Sequence, residues 1–144
     1  MEELDRTATA RLRQAGQRYT DSRSTLVHLL SDSDRPLTIP EILSTKSGMP
    51  QSSVYRNLAV LEEVGLVQRV ASSDDWARFE LAEDLTGHHH HQICTRCGEV
   101  RDFTLPGDLE VSLDDCLGAV ATATGFTLQH HRLNLVGLCE TCAA

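Results

Sequence analysis

Several features that would place this chain in common protein classes are absent. No apolar run approaches the roughly 20 residues that a helix needs to cross a bilayer, and no charged-then-apolar leader opens the sequence. There is no excess of positive charge either, since 13 Lys and Arg face 21 Asp and Glu and the net charge is −8. We therefore expect a cytoplasmic protein whose overall charge would not by itself attract nucleic acid.

Motifs of the common enzyme classes are missing as well. The chain has no Ser-His-Asp arrangement, no phosphate loop and no His-Glu-x-x-His motif. A metallohydrolase with an open histidine and carboxylate site is the competing enzyme class, but it would leave the helical first half of the chain without a role. The sequence therefore predicts a protein that is not an enzyme.

The acidic charge is distributed unevenly along the chain. Residues 1–82 hold ten basic and twelve acidic side chains, a balance of −2, whereas residues 83–144 hold three and nine, a balance of −6. Nine of the ten basic residues in the first part are arginine, which suits bidentate contacts with phosphate or guanine. The first part is the better candidate for DNA binding.

The second part contains a strong pattern of metal ligands. Two Cys-x-x-Cys pairs, Cys94 with Cys97 and Cys139 with Cys142, are separated by 41 residues. In a reducing compartment such pairs indicate zinc rather than disulfides, and four thiolates leave no open coordination position. We therefore predict a structural zinc site. The fifth cysteine, Cys116, is predicted to be a small buried apolar side chain on a helix.

Four consecutive histidines precede the first cysteine pair. Side chains alternate along a strand, so His89 and His91 should face one way and His88 and His90 the other. This alternation predicts two separate metal sites. A solvated histidine patch is the alternative interpretation.

Carboxylates are available to complete both sites. Glu80 and Asp102 could join one histidine pair, whereas Glu110 and one of His130 and His131 could join the other. Imidazole and carboxylate ligands suit Fe²⁺, Mn²⁺, Zn²⁺ or Ni²⁺, and ligand type does not select among these metals.

Helical patterns dominate the first 65 residues. A first helix is predicted to end at Gly16 and a second to span residues 21–30. Thr38 and Glu41 have the spacing of a capping box, so a third helix should begin there and end near Gly48.

A fourth helical segment, from Gln51 to Val64, has two distinct faces. Its apolar stripe consists of Val54, Leu58 and Leu61, and its polar side of Ser52, Ser53, Arg56 and Asn57. Such polar side chains can approach base edges and phosphates in a major groove. For an isolated helix, a solvated polar face would be the simpler interpretation.

Two β-type runs, residues 66–71 and 76–81, follow this helix and are joined by Ser72-Ser73-Asp74-Asp75. They predict a hairpin. Helices followed by a hairpin form a winged helix-turn-helix domain, in which the last helix reads DNA.

The second half is predicted to contain short strands over residues 88–94, 99–103 and 126–138, with a helix over 107–124 that stops at Gly125. One face of this helix is predicted to be apolar and consists of Leu109, Leu113, Cys116, Leu117, Val120 and Ala121. So few elements enclose too small a core to stabilise a monomer, and we therefore expect this half to form a homodimer.

The predicted fold class is therefore α+β. It consists of an N-terminal winged helix-turn-helix domain over residues 1–82, a hinge over 83–87 and a small C-terminal α/β dimerisation domain over 88–144.

The order of these motifs resembles the ferric uptake regulator (Fur) family of metal-responsive repressors over nearly the whole chain. The resemblance rests on Gly16-Gln-Arg18-Tyr-Thr20-Asp-Ser-Arg23, Ser53-Val54-Tyr55-Arg56-Asn57-Leu58, Arg78-Phe79-Glu80, the histidine run, Cys94-x-x-Cys97-Gly98, Asp102-Phe103, Gly125-Phe126, His130-His131-Arg-Leu133 and Cys139-x-x-Cys142. Residues 99–142 look especially similar to the peroxide- and metal-sensing branch.

The resemblance implies a homodimer that binds palindromic double-stranded operator DNA, with structural zinc and a second divalent metal as corepressor. The DNA contacts expected from it and from the helix pattern are Arg18, Ser52, Ser53, Tyr55, Arg56 and Asn57. The implied regulatory metal ligands are Glu80, His89, His91 and Asp102, and those of the second metal site are His88, His90, Glu110 and His131.

Three positions depart from patterns common in this family. Asp34-Arg35-Pro36-Leu37 contains no histidine where many members contribute one to the sensing site. Zinc-sensing relatives often have a cysteine where this chain reads Leu81-Ala82-Glu83, and peroxide sensors have aspartate at the position of Glu80. The alternatives are a zinc-uptake or peroxide-sensing regulator of the same family and, in another class, a metal buffer or storage protein.

Overall fold

The computed structural model describes residues 1–45 and 48–144, which form helices around two three-stranded sheets. The helices are α1 (Glu2–Gln14), α2 (Asp21–Asp32), α3 (Ile39–Ser44), α4 (Gln51–Glu63), α5 (Glu83–Thr86), α6 (Gly107–Thr124) and α7 (Glu140–Ala143). The strands are β1 (Leu37–Thr38), β2 (Val67–Val70), β3 (Arg78–Leu81), β4 (His90–Cys94), β5 (Val100–Phe103) and β6 (Asn134–Gly137).

The first four helices and the first sheet enclose a continuous apolar core. Its fully buried side chains include Leu12, Leu26, Ile42, Leu58 and Leu61, contributed by α1, α2, α3 and α4. Full burial of one such side chain contributes about 1.5–3 kcal/mol. The helical periodicity of the first half therefore reflects packing on a single core.

Threonine side chains define the starts of two helices. Thr20 Oγ1 accepts a hydrogen bond from the Arg23 N–H at 3.3 Å, and Thr38 Oγ1 accepts one from the Glu41 N–H at 3.3 Å. The predicted start of α3 is confirmed. Its predicted end near Gly48 was too late, since the helix stops at Ser44; residues 46–47 lie outside the described residues.

The predicted hairpin is confirmed, and it gains a third strand. In the sheet order β1-β3-β2, Gln68 lies opposite Glu80, while Leu37 of β1 lies opposite Phe79. Strand β1 was not predicted, because two residues are too short to show an alternating pattern.

The second sheet has the order β5-β4-β6, with β5 antiparallel and β6 parallel to β4. The strand predicted over residues 126–138 is only Asn134–Gly137. Strand β4 is five residues long, and its residues 91–94 pair with β6. The longer prediction was wrong because backbone pairing, which local sequence does not reveal, limits the strand.

Helix α6 has the predicted bounds, and Gly125 ends it in a left-handed conformation with φ of +68°. Part of the predicted apolar face of this helix is exposed in the single chain, where Leu109 is 51% and Val120 is 56% accessible, whereas Ala121 on that face is buried. Cys116 lies on the same face and is exposed as well. Its predicted burial was therefore wrong for the monomer, because residue periodicity identifies an apolar face without identifying what covers it.

The segment predicted as a polar hinge contains the short helix α5. Leu85 on this helix packs against the first core, and Gly87 follows with φ of +91°, a conformation that favours glycine. No helix within the described ranges combines the length and apolar character needed to span a bilayer.

Candidate metal centres and nucleic-acid interface

The two cysteine pairs meet at one end of the second sheet. Cys94 ends β4 and Cys97 lies in the tight turn after it, while Cys139 precedes α7 and Cys142 lies within that helix. The four sulfur atoms lie within 4.8 Å of one another, and Cys97 Sγ is 3.8 Å from Cys139 Sγ. Tetrahedral zinc with bonds of about 2.3 Å requires sulfur atoms about 3.8 Å apart. The cluster therefore fits zinc.

Local hydrogen bonds prepare one of these thiols for metal binding. The backbone N–H groups of Cys97 and Cys139 point at Cys94 Sγ from 3.5 and 3.4 Å, and they lower the pKa of Cys94 to about 6. The hydrogen bond with Cys139, together with burial, raises the pKa of Cys142 to about 12. The Cys94 thiol therefore ionises more readily than that of Cys142, and a bound cation would have to displace the proton of Cys142.

The first histidine and carboxylate cluster joins the two sheets. Glu80 lies on β3, whereas His91 and Asp102 are paired residues of β4 and β5 and His89 lies just before β4. The Nε2 atoms of His89 and His91 are each 3.1 Å from a Glu80 oxygen, and His91 Nε2 is 3.4 Å from Asp102 Oδ1. All four ligand atoms lie within 4.8 Å of one another.

The charges in this cluster favour a divalent cation. Burial opposes ionisation of Glu80, but hydrogen bonds from His91 and Gln68 outweigh it and lower the Glu80 pKa. Burial and the nearby Glu80 charge raise the pKa of Asp102. Asp102 Oδ1 is buried without a hydrogen-bond partner among the described residues. A cation would supply what this oxygen lacks and would relieve repulsion between the carboxylates.

The second cluster joins the same strand to α6. His88 and His90 face away from the first cluster and meet Glu110, from the first turn of α6, and His131. The predicted alternation of the histidine run is confirmed. Of the two candidate histidines beyond α6, His131 joins the cluster and His130 is exposed.

Two features show that the second cluster also fits a metal. The Nε2 atoms of His88 and His131 face each other at 3.1 Å, close to the spacing of about 3.3 Å between nitrogen ligands around a tetrahedral ion. Glu110 Oε2 is buried and makes no hydrogen bond within the described part of the chain. Burial opposes ionisation of Glu110, but the neighbouring histidines, chiefly His90, outweigh it and lower its pKa.

Sequence reasoning missed the residues that orient these ligands. Gln68 Nε2 donates to Glu80 at 2.7 Å, Glu83 contacts His88 Nδ1, and Asp114 Oδ1 lies 3.2 Å from His131 Nδ1. The carboxylates of Glu83 and Asp114 fix the orientation of the imidazole rings and raise their basicity, whereas Gln68 orients the Glu80 carboxylate. The predicted hairpin placed Gln68 close to Glu80 but one residue out of the observed register, and Glu83 and Asp114 carry no local signal.

Helix α4 presents most of the predicted DNA-contact residues to solvent. Tyr55 is 51% accessible, Ser52 and Arg56 are exposed, and Ser53 is half-buried. The apolar stripe of this helix faces the core as predicted. Arg18, which precedes α2, is exposed too.

Asn57 is the exception among the predicted DNA contacts. It is 8% accessible, and its Oδ1 accepts a hydrogen bond from Arg23 Nε on α2 at 3.1 Å. Because Asn57 follows the buried Val54 by three residues and adjoins Leu58, it lies at the edge of the buried face. The prediction that it faces outward was wrong, and its amide connects α4 to α2 instead.

Comparison with known proteins agrees with this architecture. A sequence model of the ferric uptake regulator family matches residues 14–136. The chain is 35% identical over 136 residues to the peroxide operon regulator of Bacillus subtilis, covering 92% of this chain and 88% of that protein. The chain belongs to the ferric uptake regulator family.

Solved structures confirm the Fur-type α+β fold. The Fur protein of Helicobacter pylori superposes with a TM-score of 0.78 at 24% identity, over 99% of this chain and 93% of that one. A zinc uptake regulator solved with zinc and DNA superposes with a TM-score of 0.57 at 26% identity, over 99% and 94%. This Fur family member therefore has an N-terminal helix-turn-helix part and a C-terminal domain.

Proposed function

We propose that this Fur family chain is a homodimeric transcriptional repressor that binds a palindromic operator when a divalent metal occupies Glu80, His89, His91 and Asp102. The observation that carries this proposal is the position of Glu80. It lies on the hairpin of the winged helix, whereas the other three ligands lie on the second sheet or next to it. A metal ion held by all four would fix the winged helix relative to the rest of the chain.

A fixed orientation matters because a dimer reads two half-sites about 34–36 Å apart, one turn of DNA. Without metal, the two recognition helices would sample orientations that do not match this spacing. Metal binding and operator binding are then coupled, and the coupling free energy is the same in both directions. Added cationic charge also favours approach to DNA by an acidic protein.

The other two clusters receive different roles in this proposal. Cys94, Cys97, Cys139 and Cys142 hold a structural zinc, since four thiolates leave no position for a substrate or sensor ligand. The cluster of His88, His90, Glu110 and His131 would hold a second divalent metal that stabilises α6 against β4.

We further propose the domain limits 1–82 for the DNA-binding part, 83–87 for the hinge and 88–144 for the dimerisation part. Because Leu85 packs against the N-terminal core, Gly87 is the favoured pivot within the hinge. A regulator of chromosomal genes would act in the cytoplasm.

The signal to which the proposed repressor responds is a separate question. The Bacillus subtilis relative is a peroxide operon regulator, and this supports a peroxide-responsive repressor as the second candidate. Titration of Fe²⁺, Mn²⁺, Zn²⁺ and Ni²⁺ into metal-stripped protein under anaerobic conditions, followed by operator binding with and without peroxide, would distinguish the candidates.

Replacing Arg56 by Ala tests the role of α4. Operator binding should weaken while metal content and the unfolding midpoint stay unchanged, because Arg56 is exposed and lies outside all three clusters. The matched control is Arg101→Ala, which removes the same charge from β5 and should retain operator affinity. Filter binding, metal analysis and urea unfolding measure these three properties. Equal loss from the two variants would contradict direct contact by α4.

A metal buffer would use the same ligands without needing the exposed face of α4. It would bind metal but show no metal-dependent shift of a palindromic duplex. That result would replace the repressor proposal.

A further inference from the structure

The turn between β2 and β3 is held against the first cysteine pair. We call residues 72–75 the wing turn and residues 94–98 the knuckle. Ser72 Oγ donates to the carbonyl oxygen of Gly98 at 2.6 Å, and Ser73 Oγ donates to the carbonyl oxygen of Cys94 at 2.7 Å. The turn of the first sheet is thus attached to backbone that the cysteine cluster shapes.

Gly98 allows this close approach. Its φ is +77°, and a Cβ atom added there would lie 2.1 Å from Asp74 Oδ2, well inside any tolerable contact. Asp74 is itself fixed within the hairpin, since its carboxylate accepts hydrogen bonds from Arg78 at 2.6 and 2.9 Å and from the Trp76 N–H at 3.2 Å. A residue larger than glycine at position 98 would therefore require either the knuckle or the wing turn to move.

The composition of the wing turn also favours an anchoring role. Ser72-Ser73-Asp74-Asp75 contains no basic side chain and two acidic ones, which would be repelled by DNA phosphates. Its two serine hydroxyl groups donate hydrogen bonds to carbonyl oxygens of the knuckle.

The hairpin connects the wing turn to helix α4. Trp76, directly after the turn, lines a cavity of about 260 Å³ together with Tyr55 and Leu58 of α4 and Phe79 of β3. A displacement of the turn would therefore change the surroundings of the exposed face of α4.

We infer that Ser72, Ser73, Asp74 and Gly98 are positioning residues through which the four-cysteine site helps to orient the recognition helix, independently of the Glu80 cluster. This inference rests on the proposed function in that the cysteine site must hold metal. A metal bound by the four cysteines would fix the knuckle, and the hydrogen bonds of Ser72 and Ser73 would then fix the wing turn and with it Trp76 beside α4. The chain contains a single tryptophan, so Trp76 reports this connection without labelling.

The experiment uses the full chain in a His89→Ala/His91→Ala background, so that the Glu80 cluster does not contribute. Reduced, metal-stripped protein receives one equivalent of Zn²⁺, and Trp76 emission and its quenching by acrylamide are recorded. A parallel Co²⁺ titration follows the thiolate charge-transfer absorption, which reports occupancy of the cysteine site. We expect Zn²⁺ to shift the emission and to reduce the quenching of Trp76.

The decisive comparison is between two sets of hydroxyl deletions. Ser72→Ala/Ser73→Ala should bind metal at the cysteine site with the same stoichiometry but lose the Trp76 response. Ser44→Ala is the matched control, because its hydroxyl donates to the Glu41 carbonyl within α3 at 2.7 Å, and it should keep the full response.

A second pair of variants tests the close contact. Gly98→Ala should displace the wing turn, so that the Trp76 emission stays like that of the metal-free parent even with Zn²⁺ bound. Gly125→Ala, with φ of +68° and open space around the added carbon, carries comparable backbone strain and should respond as the parent does.

Two results would overturn the inference: no change of Trp76 emission when the cysteine site fills, or an equal response in Ser72→Ala/Ser73→Ala and Ser44→Ala. Absence of the thiolate absorption band is a different failure, because it would show that the cysteines do not bind metal and would remove the proposed structural site itself.

Discussion

Glu80 is the residue on which the proposed switch depends most. It is 6% accessible, receives a hydrogen bond from Gln68 of the same sheet, and contacts two histidines that precede or belong to the other sheet. A buried carboxylate needs charged or hydrogen-bonding partners to remain ionised. Here those partners come from both halves of the chain, so the charge state of one side chain is tied to the contact between the halves.

Tyr19 gives a residue-level prediction about pH. Burial and the hydrogen bond that its hydroxyl donates to Asp5 at 2.6 Å raise the pKa of Tyr19 to about 12. The folded-state pKa of Tyr19 thus lies above its unfolded value of about 10. The protonated Tyr19 hydroxyl therefore stabilises the folded chain below pH 10, and this stabilisation is lost as pH rises towards 12.

Absorbance titration of tyrosinate measures this directly. A step near pH 12 should be present in the parent chain and absent from Tyr19→Phe, and the two proteins should differ less in urea stability at high pH than at pH 8. A step near 12 that survives the substitution would assign the raised pKa to another group.

Asn57 shows the limit of reading one helix by itself. Its spacing from Val54 and Leu58 places it at the border between faces, and local sequence cannot decide which side it joins. The partner that settles its position is Arg23 on α2, 34 residues away. The same limit applies to Gln68, because the predicted hairpin with its turn over residues 72–75 would place it opposite Phe79, whereas the observed register is shifted by one residue and places it opposite Glu80.

At the scale of elements, α6 is the most informative helix about assembly. Its exposed Leu109 and Val120 lie on the face that the sequence predicted to be apolar. Together with the exposed Phe126, which follows the helix, they form the surface on which the proposed dimer would close.

Val120→Asp tests that surface. A charge buried between two copies without a partner should convert the dimer to monomer, because its desolvation is not compensated. Val111→Asp adds the same charge on the other side of α6, where Val111 is 61% accessible, and should leave the dimer intact. Sedimentation velocity separates the outcomes. Dissociation by both variants, or by neither, would contradict dimerisation through this face.

The sequence predicted those elements whose pattern is local. The bounds of α6, the hairpin and the alternating histidines all follow from side-chain periodicity or from a capping glycine. The two-residue strand β1 and the short extent of β6 could not be predicted, since each is defined by a partner strand distant in sequence.

In the candidate sites, too, local patterns identified the residues, whereas contacts between distant parts of the chain could not be predicted. The ligand residues were identified because the resemblance and the alternation both point to them, and the structure brings each set within 4.8 Å. Supporting contacts from Glu83 and Asp114, and the wing-turn contact with Gly98, arise only from tertiary packing.

At the scale of the whole molecule, the two halves differ in what stabilises them. The N-terminal part has a large apolar core, whereas the second half contributes few buried apolar residues, chiefly Val100, Ala121 and Cys94. The second half should therefore depend on zinc and on its partner copy.

Removal of zinc should reveal this difference. A strong chelator under reducing conditions is expected to increase amide hydrogen exchange in β4, β5 and β6, while the core helices α2 and α4 remain protected. Readdition of Zn²⁺ should restore protection. Uniform loss over both halves, or no change in the second, would contradict a local structural role for the cysteine site.

The central claim is that metal at the Glu80 cluster and operator DNA on α4 stabilise the same arrangement of the two halves. The most direct measurement is the affinity of the regulatory metal with and without saturating operator, together with operator affinity with and without that metal. Both affinities should rise by the same factor, of about 5–150-fold. Glu80→Gln should bring this factor close to one while the zinc of the cysteine site is retained. Metal affinity that is unchanged by operator in the parent chain would contradict the account.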